Sequence, residues 1–288
     1  MRALHLGDLL TAIPGLRALR AGFPEAEITF IGLPWARDFL RRYPYLDRFR
    51  EFPSYPGIPE TPLDRERLGS FLCEERAYGY DLAIQIHGNG KMSNGFIRDL
   101  DAKCTAGYHP PDDSGPWPTI TLPYPDDRHE VLRVLGLMEY LGAPAGSTEM
   151  ELPVLPIERE ELSRLLERHG VQPGQRLVGI NAGARAPTRR WEPGRFALVA
   201  DTSRERWSAT IVLTGGPSEQ EIAGAVQATM RGPAINLAGE TSLGMLAALM
   251  ERCSLFVTND SGPSHVATAI GVPSVTVFGP ADVRRWAP

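Results

Sequence analysis

Short apolar runs of β type alternate with helical stretches along the whole chain, a pattern that predicts parallel sheets covered by helices. In the first half, strands are expected near residues 28–31, 48–52 and 82–86. Helices are expected near 9–21, 35–42, 63–76 and 128–141. The Pro-rich passage 108–125 reads as loop and carries Trp117 between two prolines. The pattern stops over residues 142–156, where glycines and prolines break both regular structures, and this stretch reads as an interdomain linker.

Beyond it a helix is expected over 158–169, and the alternation then becomes cleaner. Strands fall near 177–181, 210–214, 255–258 and 275–278, with helices near 195–206, 218–230, 243–252 and 264–270. The expected organisation is α/β with two Rossmann-like domains, residues 1–150 and 151–288. Ligands of such sheets bind outside the carboxyl ends of the strands.

Composition narrows the field. A length of 288 residues suits about two domains, and 42% hydrophobic with 23% charged residues is ordinary for a globular chain. The formal net charge of -5 argues against a broad nucleic-acid surface. Cys73, Cys104 and Cys253 have neither metal-ligand spacing nor a disulfide framework, so they read as packing residues of a protein in a reducing cytoplasm. No apolar run is long enough to span a bilayer, and the start of the sequence lacks the features of an export signal. Contact with a membrane surface stays open.

Chemistry-bearing residues gather where strands end. After the run Leu255, Phe256 and Val257 comes Thr-Asn-Asp-Ser-Gly-Pro-Ser-His, residues 258–265, at an expected strand-to-helix junction. Backbone amides near Ser261 and Gly262, with the positive end of the helix dipole, favour an anion such as a diphosphate. Asp260 offers an acceptor to sugar hydroxyls, and His265 lies about one turn inside the helix. Together these suggest a nucleotide-sugar pocket.

A second cluster runs from Asn181 through Arg185 to Arg189, Arg190 and Trp191. Its guanidinium groups suit a diphosphate, and Trp191 suits an anchor for the loop. In a third, Gly215 and Gly216 precede Ser218, an expected helix cap, and Glu219, a candidate for ribose hydroxyls. A fourth, His87 to Lys91, ends a first-half strand, with Lys91 a candidate for an acidic acceptor. Asp8, after Gly7 and before an apolar helix, reads on position alone as an N-cap. Pro14 marks a kink or a later helix start.

In order, these clusters resemble glycosyltransferase family 9, the ADP-heptose:lipopolysaccharide heptosyltransferases. The matching residues are Gly7-Asp8-Leu9-Leu10, Pro14 to Leu19, Gly183-Ala184, Arg189-Arg190-Trp191, Gly215 and Glu219. Further matches are Asn236 to Leu243, Asn259 to His265, Ala269 to Pro273 and Phe278-Gly279-Pro280.

The resemblance implies the GT-B architecture, two Rossmann-like domains facing a central cleft. It implies an acceptor bound mainly by the first domain and an ADP-sugar by the second, with no tightly held metal and no cofactor. It further implies inverting transfer of a heptose or related sugar to a lipopolysaccharide-core or other cell-envelope glycan, with Asp8 as general base. Arg189 and Arg190, with Glu219, Asp260, Ser261, Gly262 and His265, become the donor-binding set, and Lys91 the acceptor residue. Relatives usually carry lysine where Arg189 stands, a change that keeps the charge and alters its geometry.

Only Met1–Leu6 precede the Gly-Asp pair, where relatives have a full apolar strand, and relatives continue beyond Pro288. A chain shortened at both ends is therefore one expectation, with a stub of first strand holding Asp8 loosely. Two alternatives follow. One is a relative that binds nucleotide sugar without transferring it; the other is a Rossmann dehydrogenase, disfavoured because no Gly-x-Gly-x-x-Gly follows the first strand.

Overall fold

The computed structural model describes residues 1–111, 115 and 117–288. The chain divides into two compact units, Met1–Thr148 and Glu149–Pro288. Both are α/β, and every strand pair is parallel.

The first unit runs α1 (Leu6–Leu10), α2 (Ile13–Gly22), β1 (Thr29–Gly32), α3 (Ala36–Leu40), β2 (Arg48–Glu51), α4 (Arg65–Tyr78), β3 (Leu82–Ile84), α5 (Ser93–Asp99), β4 (Cys104–His109), β5 (Ile120–Pro123) and α6 (Glu130–Tyr140). Its strands form two sheets, β1-β2 and β3-β4-β5. Between them lies the very start of the chain. The Met1 nitrogen donates to Ile84 O at 2.7 Å and Met1 O accepts from Ile86 N at 3.1 Å, while Arg2 N donates to Ile31 O at 3.0 Å. Residues 1–3 thus act as the last rungs of a central strand, with Arg2 and Ala3 buried. The stub expected to leave Asp8 loose is pinned on both sides.

Proline sets the helix starts here. Pro14 lies in the first turn of α2, where its missing N–H costs nothing, so α1 and α2 are separate helices rather than one continuous helix. The passage read as loop holds the end of β4 and all of β5, in register from Ala106↔Ile120 to His109↔Pro123. Its prolines hid a strand that survives because it lies at the sheet edge with Pro123 as its last residue.

The second unit runs α7 (Pro156–Arg168), β6 (Leu177–Asn181), α8 (Pro193–Trp207), β7 (Thr210–Thr214), α9 (Gln220–Thr229), β8 (Ile235–Asn236), α10 (Leu243–Arg252), β9 (Cys253–Asn259), α11 (Gly262–Ile270), β10 (Ser274–Val277) and α12 (Val283–Trp286). One five-stranded sheet has the order β10-β9-β6-β7-β8. All five residues of β6 are buried, as expected of a central parallel strand covered on both faces. Val178, Ile180, Phe196, Ile211, Leu213 and Val257 belong to its core. No described helix is long and apolar enough to cross a membrane. Of the cysteines, Cys253 is buried with its thiol pushed up to about 12, whereas Cys73 is exposed and not a packing residue.

Candidate functional site

In the second unit, the loops after β6, β7 and β9 emerge together from the carboxyl ends of adjacent strands. One side chain ties two of them. Asn259, fully buried at the end of β9, donates through Nδ2 to Ala182 O at 2.8 Å, and its Oδ1 accepts from Trp191 N at 2.9 Å. The β6 loop is thereby held at both of its ends. Trp191 packs edge-on against Phe196 of the core, ring centroids 5.3 Å apart, and so anchors the loop as expected.

Asp260 follows Asn259 and is 2% exposed. Arg189 Nη1 lies 3.3 Å from its Oδ2, an oxygen that otherwise accepts no hydrogen bond. Burial pushes the Asp260 carboxyl above the usual carboxylate range, and the Arg189 charge partly opposes that rise. The free lone pairs suit a hydroxyl donor. The Arg189 side chain keeps 39% of its surface accessible and remains available to an anion. The Phe-Gly-Pro segment supports it from behind: a Cβ at Gly279 would fall 2.9 Å from Thr188 O, so only glycine lets the chain pass.

At the start of α11, Pro263 has no N–H, and the Ser264 amide turns back to Ser261 O at 3.0 Å. Ser261 and Gly262 therefore carry the amides this helix end can offer. Ser264 Oγ donates to Ser261 O at 2.7 Å and stiffens the turn. His265 is buried one turn further in.

Glu219 ends a short 3-10 turn, and its Oε2 accepts from Gly216 N at 2.9 Å. A Cβ at Gly183 would meet Glu219 Oε1 at 2.1 Å, so the glycine lets the β6 and β7 loops touch. Ser218 lies within the turn and does not cap α9, which begins at Gln220. Arg190 directs Nε to Ala184 O at 2.7 Å and braces its own loop.

The first unit holds a separate cluster at its strand ends. Asp8 is not the N-cap of α1: His5 takes that position, and Asp8 is the third helical residue, its Oδ2 accepting from His5 N at 3.3 Å. Arg2 Nη2 lies 3.6 Å from Asp8 Oδ1 and 2.9 Å from Glu130 Oε1, while Nη1 donates to Ile86 O. Arg133 Nη1 completes the group 3.1 Å from Glu130 Oε2. Arg2, Glu130 and Arg133 are all buried, whereas the Asp8 side chain keeps 22% of its surface accessible.

His87 Nδ1 accepts from Ala3 N at 3.2 Å, which places the ring proton on Nε2. Burial first, and the Arg2 charge second, push its pKa down to about 4, so the ring is neutral at physiological pH. Lys91 is exposed on the following loop, where its amide donates to Asn89 Oδ1 at 3.1 Å. Two residues escaped the sequence reading of roles. Asn259 was visible only as part of a motif, and Arg2 gave no signal because nothing in periodicity marks a buried arginine.

Comparison with known proteins agrees with this layout. The family model described as "Glycosyltransferase family 9 (heptosyltransferase)" matches residues 68–288. Lipopolysaccharide heptosyltransferase 3 of Escherichia coli is 26% identical over 292 residues, covering 98% of this chain and 83% of that protein. A solved glycosyl transferase family 9 protein from Veillonella parvula superposes with a TM-score of 0.82 at 28% identity, covering 99% of this chain and 80% of the other. The structure of Escherichia coli ADP-heptose lps heptosyltransferase II gives a TM-score of 0.77 at 21% identity, covering 100% and 86% respectively, a likeness of fold. The two α/β units are thus the Rossmann-like pair of the GT-B class. With strand-end loops of this kind and a family match over most of its length, the chain belongs to glycosyltransferase family 9 and is a glycosyltransferase.

Proposed function

We propose that this enzyme transfers a heptose from an ADP-linked donor to a lipopolysaccharide-core or related cell-envelope glycan, with inversion at the anomeric carbon. The observation that carries the reading is the buried Asp260 paired with the accessible Arg189 beside the start of α11. That pair offers a hydroxyl acceptor next to a cation and two helix-terminal amides, the features a nucleotide diphospho-sugar requires. Residues 151–288 bind the donor and residues 1–150 the acceptor.

In the reaction, an acceptor hydroxyl attacks the anomeric carbon as its proton passes to Asp8. The bond from that carbon to the ADP oxygen breaks, and the electron pair leaves with ADP. Arg189, helped by His265 and the amides of Ser261 and Gly262, stabilises the charge growing on the diphosphate. Asp260 and Glu219 take sugar and ribose hydroxyls, Arg190 holds the loop in place, and Lys91 meets an acidic group of the acceptor. Asp8 is accessible at the surface of a buried charge cluster, which fits a base that must be held and still reached. The enzyme works in the cytoplasm, at the inner face of the membrane that carries its acceptor.

The test is release of free nucleotide from ADP-, UDP- and GDP-sugars with a glycan acceptor. Turnover is expected with ADP-heptose, and ADP binding without turnover of any donor would overturn the reading. Asp8→Asn is expected to lower kcat about 1,000-fold while ADP affinity stays the same. Unchanged turnover would remove Asp8 from the mechanism.

A further inference from the structure

At the strand ends of the first unit, two cations, Arg2 and Arg133, meet two carboxylates, Glu130 and Asp8. Arg2, Arg133 and Glu130 are buried, while Asp8 stays partly open to solvent. A structural ion pair needs only Arg2 and Glu130. The unequal distances from Arg2 to the two carboxylates carry a further role.

Arg2 Nη2 donates to Glu130 Oε1 at 2.9 Å, a charge-assisted hydrogen bond. The same nitrogen stands 3.6 Å from Asp8 Oδ1, beyond hydrogen-bond range. Nη1 is committed to Ile86 O, so Nη2 is the corner of the guanidinium for which the two carboxylates compete. Glu130 wins for three reasons. It is buried, where attraction to a cation is stronger than at a wet surface. It is the first residue of α6, at the positive end of the helix dipole. Its other oxygen lies 3.1 Å from Arg133 Nη1, one turn further along the same helix.

Asp8 benefits from losing. Its Oδ2 accepts from His5 N at 3.3 Å, and its Oδ1 accepts no hydrogen bond from a described residue. Under the sugar-transfer reading, on which this inference rests, the acceptor O–H bond breaks and its proton passes to a carboxylate oxygen of Asp8. The hydroxyl oxygen uses the freed electron pair to bond the anomeric carbon as ADP departs with the pair of the old bond. An oxygen already holding a guanidinium N–H has that lone pair occupied and receives a proton poorly.

We infer that Glu130 is a positioning residue that holds the Arg2 guanidinium off the catalytic base and keeps Asp8 Oδ1 open to the acceptor hydroxyl. Arg2 at 3.6 Å still balances the Asp8 charge, and Arg133 keeps Glu130 in place. Without the Glu130 charge, Nη2 has one anion left to meet, and a movement of under about 1 Å makes Asp8 Oδ1 its acceptor.

The test is a double-mutant cycle on the full chain, with ADP-heptose and a heptose-free lipopolysaccharide core as substrates and ADP release as the readout. Glu130→Gln keeps an oxygen for Arg2 and removes the charge. It is expected to lower kcat about 30-fold while the acceptor KM and ADP affinity stay the same. Added to Asp8→Asn, the same change is expected to alter kcat less than about twofold, because no base remains to be obstructed. Glu130→Asp keeps the charge but draws it back by one methylene, with an expected loss of about fivefold, again only where Asp8 is present. That variant carries the cycle if Glu130→Gln does not fold. A loss of equal size with and without Asp8, or an unchanged kcat in Glu130→Gln alone, would overturn the inference while leaving Asp8 as the base. An Asp8→Asn protein with full turnover would instead remove the base itself, and the role of Glu130 with it.

Discussion

The two units solve the same architectural problem with different materials. The second closes a five-stranded sheet around β6, whose residues are all buried, and organises its loops with neutral amide bonds from Asn259. The first joins two smaller sheets through residues 1–3 and organises its strand ends around the buried charges of Arg2, Glu130 and Arg133. An apolar sheet tolerates the loss of one polar contact; a buried ion cluster does not, because removing one member strands its partner in a low dielectric. The first unit is accordingly the more sensitive to mutation and to acid.

The largest effect should come from Arg2→Ala, which leaves Glu130 without its 2.9 Å partner and should destabilise the first unit by about 3–5 kcal/mol. Hydrogen exchange should show lost protection in residues 1–148 with 149–288 unchanged, and equal loss in both would break the contrast. Next is acid sensitivity through His87. Its folded pKa of about 4 lies below the ordinary 6.5, so between those values the unfolded chain holds more protons. The stability from this group is complete above pH 6.5 and is lost as pH falls towards 4, about 3 kcal/mol in all. His87→Asn should flatten the unfolding free energy across that window, and an unchanged slope would refute the assignment.

Smaller effects belong to the second unit. Asn259→Ala should cost about 2 kcal/mol by stranding Trp191 N and Ala182 O, with protection falling over the 182–191 loop. Arg189→Ala should weaken ADP binding at least about tenfold in calorimetry and also lower the unfolding midpoint, since it leaves the buried Asp260 carboxyl without its cation. A fall in midpoint with ADP affinity intact would make Arg189 a structural partner of Asp260 only.

Legibility in the sequence follows the same division. In the second unit, Leu177–Asn181, Thr210–Thr214 and Leu243–Arg252 fall where the apolar runs place them, because strands and helices covered by protein need continuous apolar sequence bounded by small residues. The first unit was harder to read. α5 has seven residues with Gly95 inside it, too few to show a helical period, and β5 sits among prolines. Residues 1–3 are too short to read as a strand, and only tertiary hydrogen bonds reveal their place. The junction around Asp260 was legible because small and polar residues there interrupt the apolar pattern between β9 and α11, whereas Arg2 acts through burial alone.

The clasp made by Asn259 has a kinetic corollary. Since one amide grips the loop that bears Arg189 and is itself adjacent to Asp260, a displacement of that loop's backbone pulls on the strand end that carries the carboxylate. On the proposed donor site, spent nucleotide would then leave past a pair whose backbone supports are tied together.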